Sequence, residues 1–230
     1  MKKILFILMS VLLALSLSAG SVFATQDTTG KELSIKLLQS SDPQAFWEKL
    51  SESDKTKVRE FAKQASGIIK ELSSQNASIS QVKAKAAALS EDVKIALQVS
   101  LIQVGYETGV EPIISPLSVV QYYAEAYYKG TNVFGGELYR LTHRITYNSD
   151  GQWIVNPAPY RTITPSVSMV GWSYEGTITD EQRGGTGYNF YESNVVGHFK
   201  FNVVYDIQNT YPRIWLKGWA NGTYDYEVSR

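Results

Sequence analysis

The distribution of aromatic residues divides this chain into two parts that must fold differently. Only four aromatic residues lie between Thr25 and Val110, whereas 22 lie between Glu111 and Arg230. The first part repeats apolar residues every three or four positions, as amphipathic helices do. The second part has short runs of Tyr, Trp, Val and Ile between Gly, Pro and Asn, a pattern that indicates β-strands. The sequence therefore predicts an α+β protein, with a small N-terminal helical bundle followed by an antiparallel β-sandwich or a small β-barrel.

The N-terminal residues are predicted to direct export of the chain. Two lysines follow Met1, and an apolar stretch runs from Ile4 to about Leu17. Val22-Phe23-Ala24 then supplies the small-residue pattern of a signal-peptidase site. We expect cleavage after Ala24 and a secreted, extracellular protein, released or loosely held in the cell wall; an uncleaved N-terminal anchor is the alternative.

The domain boundaries follow from the same patterns. Pro112 and Pro116 fall where the helical periodicity stops, so a linker is expected there. The predicted organisation is a signal peptide at 1–24, a helical region at 25–110, a linker at 111–118 and an antiparallel β domain at 119–230.

Charge and cysteine content exclude several classes of function. The chain has 22 basic and 22 acidic residues and no basic cluster interleaved with aromatic residues, so it lacks the electrostatic basis of nucleic-acid binding. It contains no Cys, which excludes disulfides, a thiol nucleophile and cysteine metal sites. There are two alternatives to a helical bundle: helices that lie on a membrane surface, and a removable pro-segment. The polar faces of the helices carry mixed charge, which argues against membrane contact.

Local motifs predict where the helices begin. Thr29-Gly30-Lys31-Glu32 and Ser78-Ile79-Ser80-Gln81 both match the capping box, in which the first and fourth residues satisfy each other's backbone N–H groups. Asp42-Pro43 combines an N-cap residue with a proline at the first helical position. Ser90 is expected to cap a further helix, and Gly105 is the expected end of the helical run.

One turn sequence allows two alignments of the strands that it joins. After Asn148-Ser149-Asp150-Gly151, a two-residue turn would place Tyr147 opposite Ile154, whereas a three-residue loop would place it opposite Trp153. We favour the second alignment, because large apolar residues then face each other and the hydrophobic face normally fixes the register.

The last hairpin is predicted to have a two-residue Asn221-Gly222 turn. In that register Trp219 pairs with Tyr224. One face then holds Trp215, Lys217, Trp219, Tyr224, Tyr226 and Val228, and the other holds Leu216, Gly218, Ala220, Thr223, Asp225 and Glu227. The first face is the more apolar and is therefore predicted to face the core.

The same row of rings is also a candidate ligand-binding surface. Aromatic rings stack on the apolar faces of sugars as readily as on one another. A lysine suits a wet surface, although its long stem also allows it to extend outward from the edge of a core. The candidate ligand-binding residues are Trp215, Lys217, Trp219, Tyr224 and Tyr226.

Residues with catalytic or metal-binding potential are few. His143 alternates with Leu141 and Ile145 and is expected to be a satisfied, partly buried histidine, whereas His198 is expected on a solvated strand face. The two histidines match no zinc motif, and the chain has neither a nucleophile elbow nor a phosphate-binding loop. A glycosidase would need two carboxylates; the candidates are Glu125, Glu137, Glu175, Glu192 and Asp206.

These observations favour a secreted, non-enzymatic binding or structural module that acts at the cell surface or outside the cell. An extracellular polysaccharide or the cell wall is the candidate partner. We predict no catalytic residue, cofactor, metal or nucleic-acid partner. Two alternatives stay open: an extracellular carboxylate-based hydrolase, and a membrane-active, toxin-like protein whose helices or hairpin leave the fold on contact with lipid.

Overall fold

Helices occupy the first part of the molecule and antiparallel sheets the second. The computed structural model describes residues 29–114, 120–203 and 206–230. The predicted signal peptide and its cleavage site after Ala24 lie outside these described residues. Helices run from Gly30 to Leu101, and the strands that follow form two antiparallel sheets, which confirms the α+β class. Within the described residues, the sheets stay separate and close no barrel.

The helices are short, with 7 to 11 residues each. A 3₁₀ turn at Lys63–Ala65 links the third helix to the fourth. No helix in the described ranges is long and apolar enough to cross a membrane. The helices are α1 (Gly30–Gln39), α2 (Pro43–Lys49), α3 (Glu52–Ala62), α4 (Ser66–Ser74), α5 (Ile79–Ala87) and α6 (Glu91–Leu101).

Local capping accounts for the helix starts. Both predicted capping boxes are present, at Thr29 before α1 and at Ser78 before α5. The Asp42 carboxylate accepts the Ala45 N–H at 3.1 Å before α2, as predicted. Ser90 precedes α6, but its side chain makes no capping hydrogen bond. Each confirmed start depends on residues no more than three positions apart.

The strands form a four-stranded and a five-stranded sheet. The first has the order β1-β2-β3-β4, and the second has the order β5-β6-β8-β9 with β7 also paired to β6. All neighbouring strands are antiparallel. The strands are β1 (Gly105–Ile114), β2 (Val120–Thr131), β3 (Glu137–Ser149), β4 (Ile154–Val167), β5 (Trp172–Gly184), β6 (Phe190–Asn202), β7 (Asp206–Thr210), β8 (Arg213–Trp219) and β9 (Tyr224–Ser229).

The first strand lies where the sequence predicted the end of the helical region and a linker. Gly105 begins β1 and pairs with Thr131, so it does not end a helix; α6 already stops at Leu101. Residues 111–114 of the predicted linker belong to β1, and residues 115–118 lie outside the described part of the chain. β1 has little apolar alternation, so its extended form depends on hydrogen bonds to β2, a partner that a local pattern cannot reveal.

The fourth strand continues through three prolines. Pro157, Pro159 and Pro165 all lie within β4. This strand is an edge of the four-stranded sheet, and a residue without an N–H group loses no ladder hydrogen bond on the open side of an edge. The prolines therefore do not end this strand.

One hydrophobic core connects the helices to both sheets. Tyr139 of β3 and Phe199 of β6 are fully buried, and their rings stack with centroids 4.2 Å apart. Leu97 and Leu101 of α6 belong to the same buried cluster. The inner faces of the two sheets and the helical region therefore exclude water together.

A buried polar network fixes the segment between α6 and β1. The Gln103 side chain donates to the Tyr128 hydroxyl at 2.8 Å and accepts from the Tyr139 hydroxyl at 2.8 Å. Its backbone N–H donates to the Gln208 side chain at 2.8 Å. Burial raises the pKa of Tyr139, which keeps its hydroxyl protonated and able to donate. The helical region is thus joined to both sheets by directional bonds as well as by apolar packing.

Candidate functional site

The β8–β9 hairpin is shifted by one residue from the predicted register. Gly218 lies opposite Tyr224, whereas the sequence analysis placed Trp219 there. The Gly222 N–H donates to the Trp219 carbonyl at 2.9 Å, and the Trp219 N–H donates to the Thr223 carbonyl at 2.8 Å. Gly222 has a φ of 85°, so the connection is a three-residue loop that ends in a left-handed glycine. The predicted two-residue turn is wrong.

The face of β8 that is buried also differs from the predicted one. Ile214, Leu216 and Ala220 are buried, whereas Trp215, Lys217 and Trp219 are half-buried on the outer face of the five-stranded sheet. The prediction that the tryptophans face the core is therefore wrong.

Packing against the other sheet explains this choice of face. A Cβ atom at Gly218 would overlap the ring of Tyr147, so only glycine leaves room for that ring between the sheets. The Tyr147 hydroxyl donates to the Trp219 carbonyl at 3.0 Å. A large side chain on β3 thus holds the small-residue face of β8 inward.

The five predicted ligand-binding residues separate into two groups. Trp215, Lys217 and Trp219 lie together on the outer face of β8. Tyr224 and Tyr226 lie on the other face of β9, opposite Gly218 and Leu216, and their rings are 6.3 Å apart. The structure thus brings three of the five together.

Around the first group lies a surface that we call the aromatic shelf, formed by Phe190, Trp215, Lys217 and Trp219. Phe190 of β6 pairs with Trp219 of β8. The Lys217 ammonium lies 4.0 Å from the centroid of the Trp219 ring and 4.6 Å from that of Phe190. The Trp219 indole N–H donates to the Asp225 carboxylate at 2.8 Å. A cation and an anion therefore hold the indole in one orientation.

Beside the shelf is a cleft, which we call the terminal cleft. It has a volume of about 230 Å³. Three connections form it: the β3–β4 turn, the β5–β6 loop and the β8–β9 loop. Its lining residues are Gly151, Gln152, Asn189, Trp219, Ala220 and Asn221.

Backbone hydrogen bonds hold the three connections together. The Ala220 N–H donates to the Asn189 carbonyl at 2.9 Å, and the Ser149 hydroxyl donates to the Ala220 carbonyl at 2.6 Å. The Ile154 N–H donates to the Tyr188 carbonyl at 2.8 Å. The cleft is therefore built on fixed backbone rather than on independent loops.

The β3–β4 turn differs from both alignments considered for it. Asn148 pairs with Val155 and Ser149 pairs with Ile154, so Tyr147 faces neither Trp153 nor Ile154. The Asp150 carboxylate accepts the N–H groups of Trp153 at 2.8 Å and Gln152 at 2.9 Å, which closes a four-residue loop. These two bonds lower the pKa of Asp150.

The amide side chains of the cleft are available to a ligand. Gln152 and Asn189 are exposed, and no hydrogen bond within the described ranges uses their side chains. Asn221 accepts from the Thr223 hydroxyl at 2.7 Å through its oxygen only. Each amide supplies both a donor and an acceptor. The cleft therefore offers neutral hydrogen-bonding groups next to an indole ring.

His143 lies in the interior and not at a surface site. It shares the buried face of β3 with Leu141 and Ile145, as predicted, but it is fully buried. Its Nδ1 lies 3.3 Å from the Thr162 carbonyl, which can only accept, so Nδ1 carries the proton. Its Nε2 has no hydrogen-bond partner within the described part of the chain, contrary to the expected satisfied histidine. Burial lowers its pKa to about 4.

His198 lies in the other sheet. It is half-buried on β6, its ring stacks on Tyr211 at 4.8 Å and its Nε2 lies 2.9 Å from the Asn209 side chain. Among the described residues, no group of three or more His, Asp and Glu side chains is placed to hold a metal ion.

The carboxylates considered for a hydrolase have separate neighbours. Glu125 accepts from Arg144 at 2.7 Å. Glu137 accepts from Arg140 at 2.8 Å, and this bond lowers the pKa of Glu137. Glu175 accepts from the Ser173 hydroxyl. The remaining two are Glu192, which pairs with Lys217 across the strands, and Asp206, whose side chain lies outside the described part.

The site residues that come from other connections could not be identified from the sequence. Phe190, Asn189 and Gln152 lie 29 to 67 positions away from Trp219 along the chain. The only sequence signals were the turn residues at Asp150-Gly151 and the glycines of the β5–β6 loop. These predict that connections exist but not that three of them meet.

Comparison of the chain with protein-family models, with curated proteins and with solved structures gave no match.

Proposed function

We propose that this protein is an exported, non-enzymatic β-sandwich module that binds polysaccharide through the aromatic shelf and the terminal cleft. The observation that carries the proposal is the position of the Trp219 indole. Asp225 and Lys217 hold it in place, and it lies beside the unused amide groups of Gln152 and Asn189.

The chemistry of this surface matches that of a sugar ring. A sugar presents apolar C–H groups on its faces and hydroxyl groups around its rim. An aromatic ring binds the faces, and amide groups both donate to and accept from the hydroxyls. Binding sites commonly combine apolar lining with a few placed polar groups in this way.

The fixed backbone of the cleft supports binding without large rearrangement. The three connections are bonded to one another, and the shelf is anchored on the paired strands β6 and β8. A pre-formed surface avoids the free energy of ordering loops when the ligand binds.

The predicted signal peptide supports a ligand outside the cell. A chain cleaved after Ala24 would meet wall or environmental polysaccharide directly. Fractionation of the producing cells is expected to find the protein in the medium or the wall, shortened at its N-terminus. Recovery of the full-length chain from the cytoplasm alone would contradict the proposed export.

The test of binding is capture of the exported chain by insoluble polysaccharides and purified cell wall. We expect Trp219→Ala to reduce capture about 5- to 30-fold, because loss of an aromatic anchor costs on the order of 1–2 kcal/mol of binding free energy. Gln152→Ala and Asn189→Ala should reduce it as well, and both residues are exposed, so these variants should keep their fold.

The matched control is Phe134→Ala. Phe134 is 41% exposed in the turn before β3, at the end of that strand opposite the terminal cleft. Capture should be unchanged in this variant, and circular dichroism should show native structure in all four. If no polymer captures the wild-type chain, or if the cleft variants bind as well as Phe134→Ala, the proposal is wrong.

A further inference from the structure

We infer that the polysaccharide is uncharged and that the terminal cleft receives a single sugar ring of it, an inference that rests on the proposed function. The charged groups around the cleft, the charge pattern of the shelf and the size of the cleft all lead to this assignment.

The charged groups nearest the cleft are already engaged within the protein. The Lys217 ammonium lies over the rings of Trp219 and Phe190. Asp225 accepts from the Trp219 indole, and Asp150 accepts two N–H groups of its own turn. Recognition of a carboxylate or sulfate normally uses Arg or Lys groups that are free to form charge-assisted hydrogen bonds. The residues that line the cleft include no charged side chain.

The charges along the shelf alternate in sign. Arg183, Glu192, Lys217 and Asp225 occupy one row across β5, β6, β8 and β9, because each pairs directly with the next. Opposite charges one strand apart compensate each other at long range, so the row produces no field that would attract an anionic polymer.

The size of the cleft limits what enters it. Its volume of about 230 Å³ is smaller than the roughly 300–1,000 Å³ of pockets that hold drug-sized ligands. One sugar ring fits this space better than several. Neighbouring sugar rings of the same polysaccharide would then lie over the aromatic shelf. Along β8, Trp215 is further from the cleft than Trp219.

The first experiment compares neutral and anionic polymers. The exported chain is incubated with cellulose, chitin and mannan, and separately with immobilised polygalacturonate and hyaluronate, at about 0.05 M and 0.5 M NaCl. We expect at least one neutral polymer to capture the protein. The captured amount should change less than about twofold between the two salt concentrations, because an uncharged ligand forms no ion pair that salt could screen.

The outcomes separate this inference from the proposed function. Stronger capture by an anionic polymer, weakened by salt, would overturn the uncharged ligand and leave polysaccharide binding intact. Capture by none of the polymers would overturn both.

The second experiment tests the single ring. Calorimetry with the monosaccharide and the tetrasaccharide of the captured polymer should show binding of both. Asn189→Ala should weaken both at least severalfold, whereas Trp215→Ala should weaken only the tetrasaccharide. Equal loss of monosaccharide binding in the two variants, or no monosaccharide binding at all, would overturn the assignment of one ring to the cleft.

Discussion

The helical region and the β region are specified by interactions of different range. Each capped helix starts at a hydrogen bond between residues three positions apart, such as Ser78 with Gln81. The proposed binding surface of the β region instead depends on Tyr147 and Gly218, which are 71 positions apart. Short-range signals can be read directly from sequence, whereas long-range contacts emerge only when the sheets pack.

The segment that joins the two regions makes them one structural unit. Gln103 binds side chains from both sheets, and the indole N–H of Trp172 donates to the Leu101 carbonyl at the end of α6. A cluster of apolar side chains continues from α6 into the sheets. The two regions therefore differ in the sequence range of the interactions that specify them, but they are stabilised by one common core.

Removal of a shared core side chain should have the largest effect. Leu97 is fully buried in the cluster that contains both regions. We expect Leu97→Ala to lower the free energy of unfolding by about 2–5 kcal/mol, through lost burial and a cavity. Urea unfolding should give one transition, with the helical signal and the aromatic signal of the sheets coinciding.

The control for this variant is Lys36→Ala on the exposed side of α1, expected to change stability by less than about 0.5 kcal/mol. Two separate transitions in Leu97→Ala would show that the helical and β regions unfold independently.

Acid should destabilise the β interior through His143. Its pKa is lowered to about 4 in the folded protein, so between about pH 6.5 and 4 the unfolded chain binds the proton that the folded protein excludes. The contribution of His143 to the free energy of unfolding is fully present above pH 6.5. It falls by about 3 kcal/mol as the pH approaches 4. The charged neighbours that affect it are Arg161 and Asp180.

The measurement is urea unfolding at pH 7 and pH 4. We expect His143→Leu to lose less stability than the wild type over this range, with a difference of about 3 kcal/mol. His198→Gln, which changes a half-buried histidine, should keep the wild-type loss. An equal loss in His143→Leu and wild type would contradict a neutral, buried His143.

Loss of a local cap should have the smallest effect. Ser78→Ala removes the side-chain oxygen that accepts the Gln81 N–H at the start of α5. The expected loss is about 1 kcal/mol. A loss as large as that of Leu97→Ala would show that α5 depends on its cap as strongly as the core depends on its packing; unfolding in urea distinguishes the two.

The sequence predicted much of the fold but only part of the site. The starts of α1, α2 and α5, the α+β class and the order of the two regions were all confirmed. Trp215, Lys217 and Trp219 were correctly grouped on one face, because alternate residues of a strand point the same way. Their partners were wrong, since one additional loop residue moves every side chain of the following strand to the other face.

By itself the sequence determined where helices begin, where strands replace them and which residues alternate along each strand. Only the tertiary structure decided which face of β8 is buried, and hence where the tryptophans lie. The physical reason is that the backbone hydrogen bonds of β8 lie in the plane of the sheet, so the ladder does not distinguish its two faces. The ring of Tyr147 fits only against Gly218, and this contact between the sheets places the aromatic shelf on the outside.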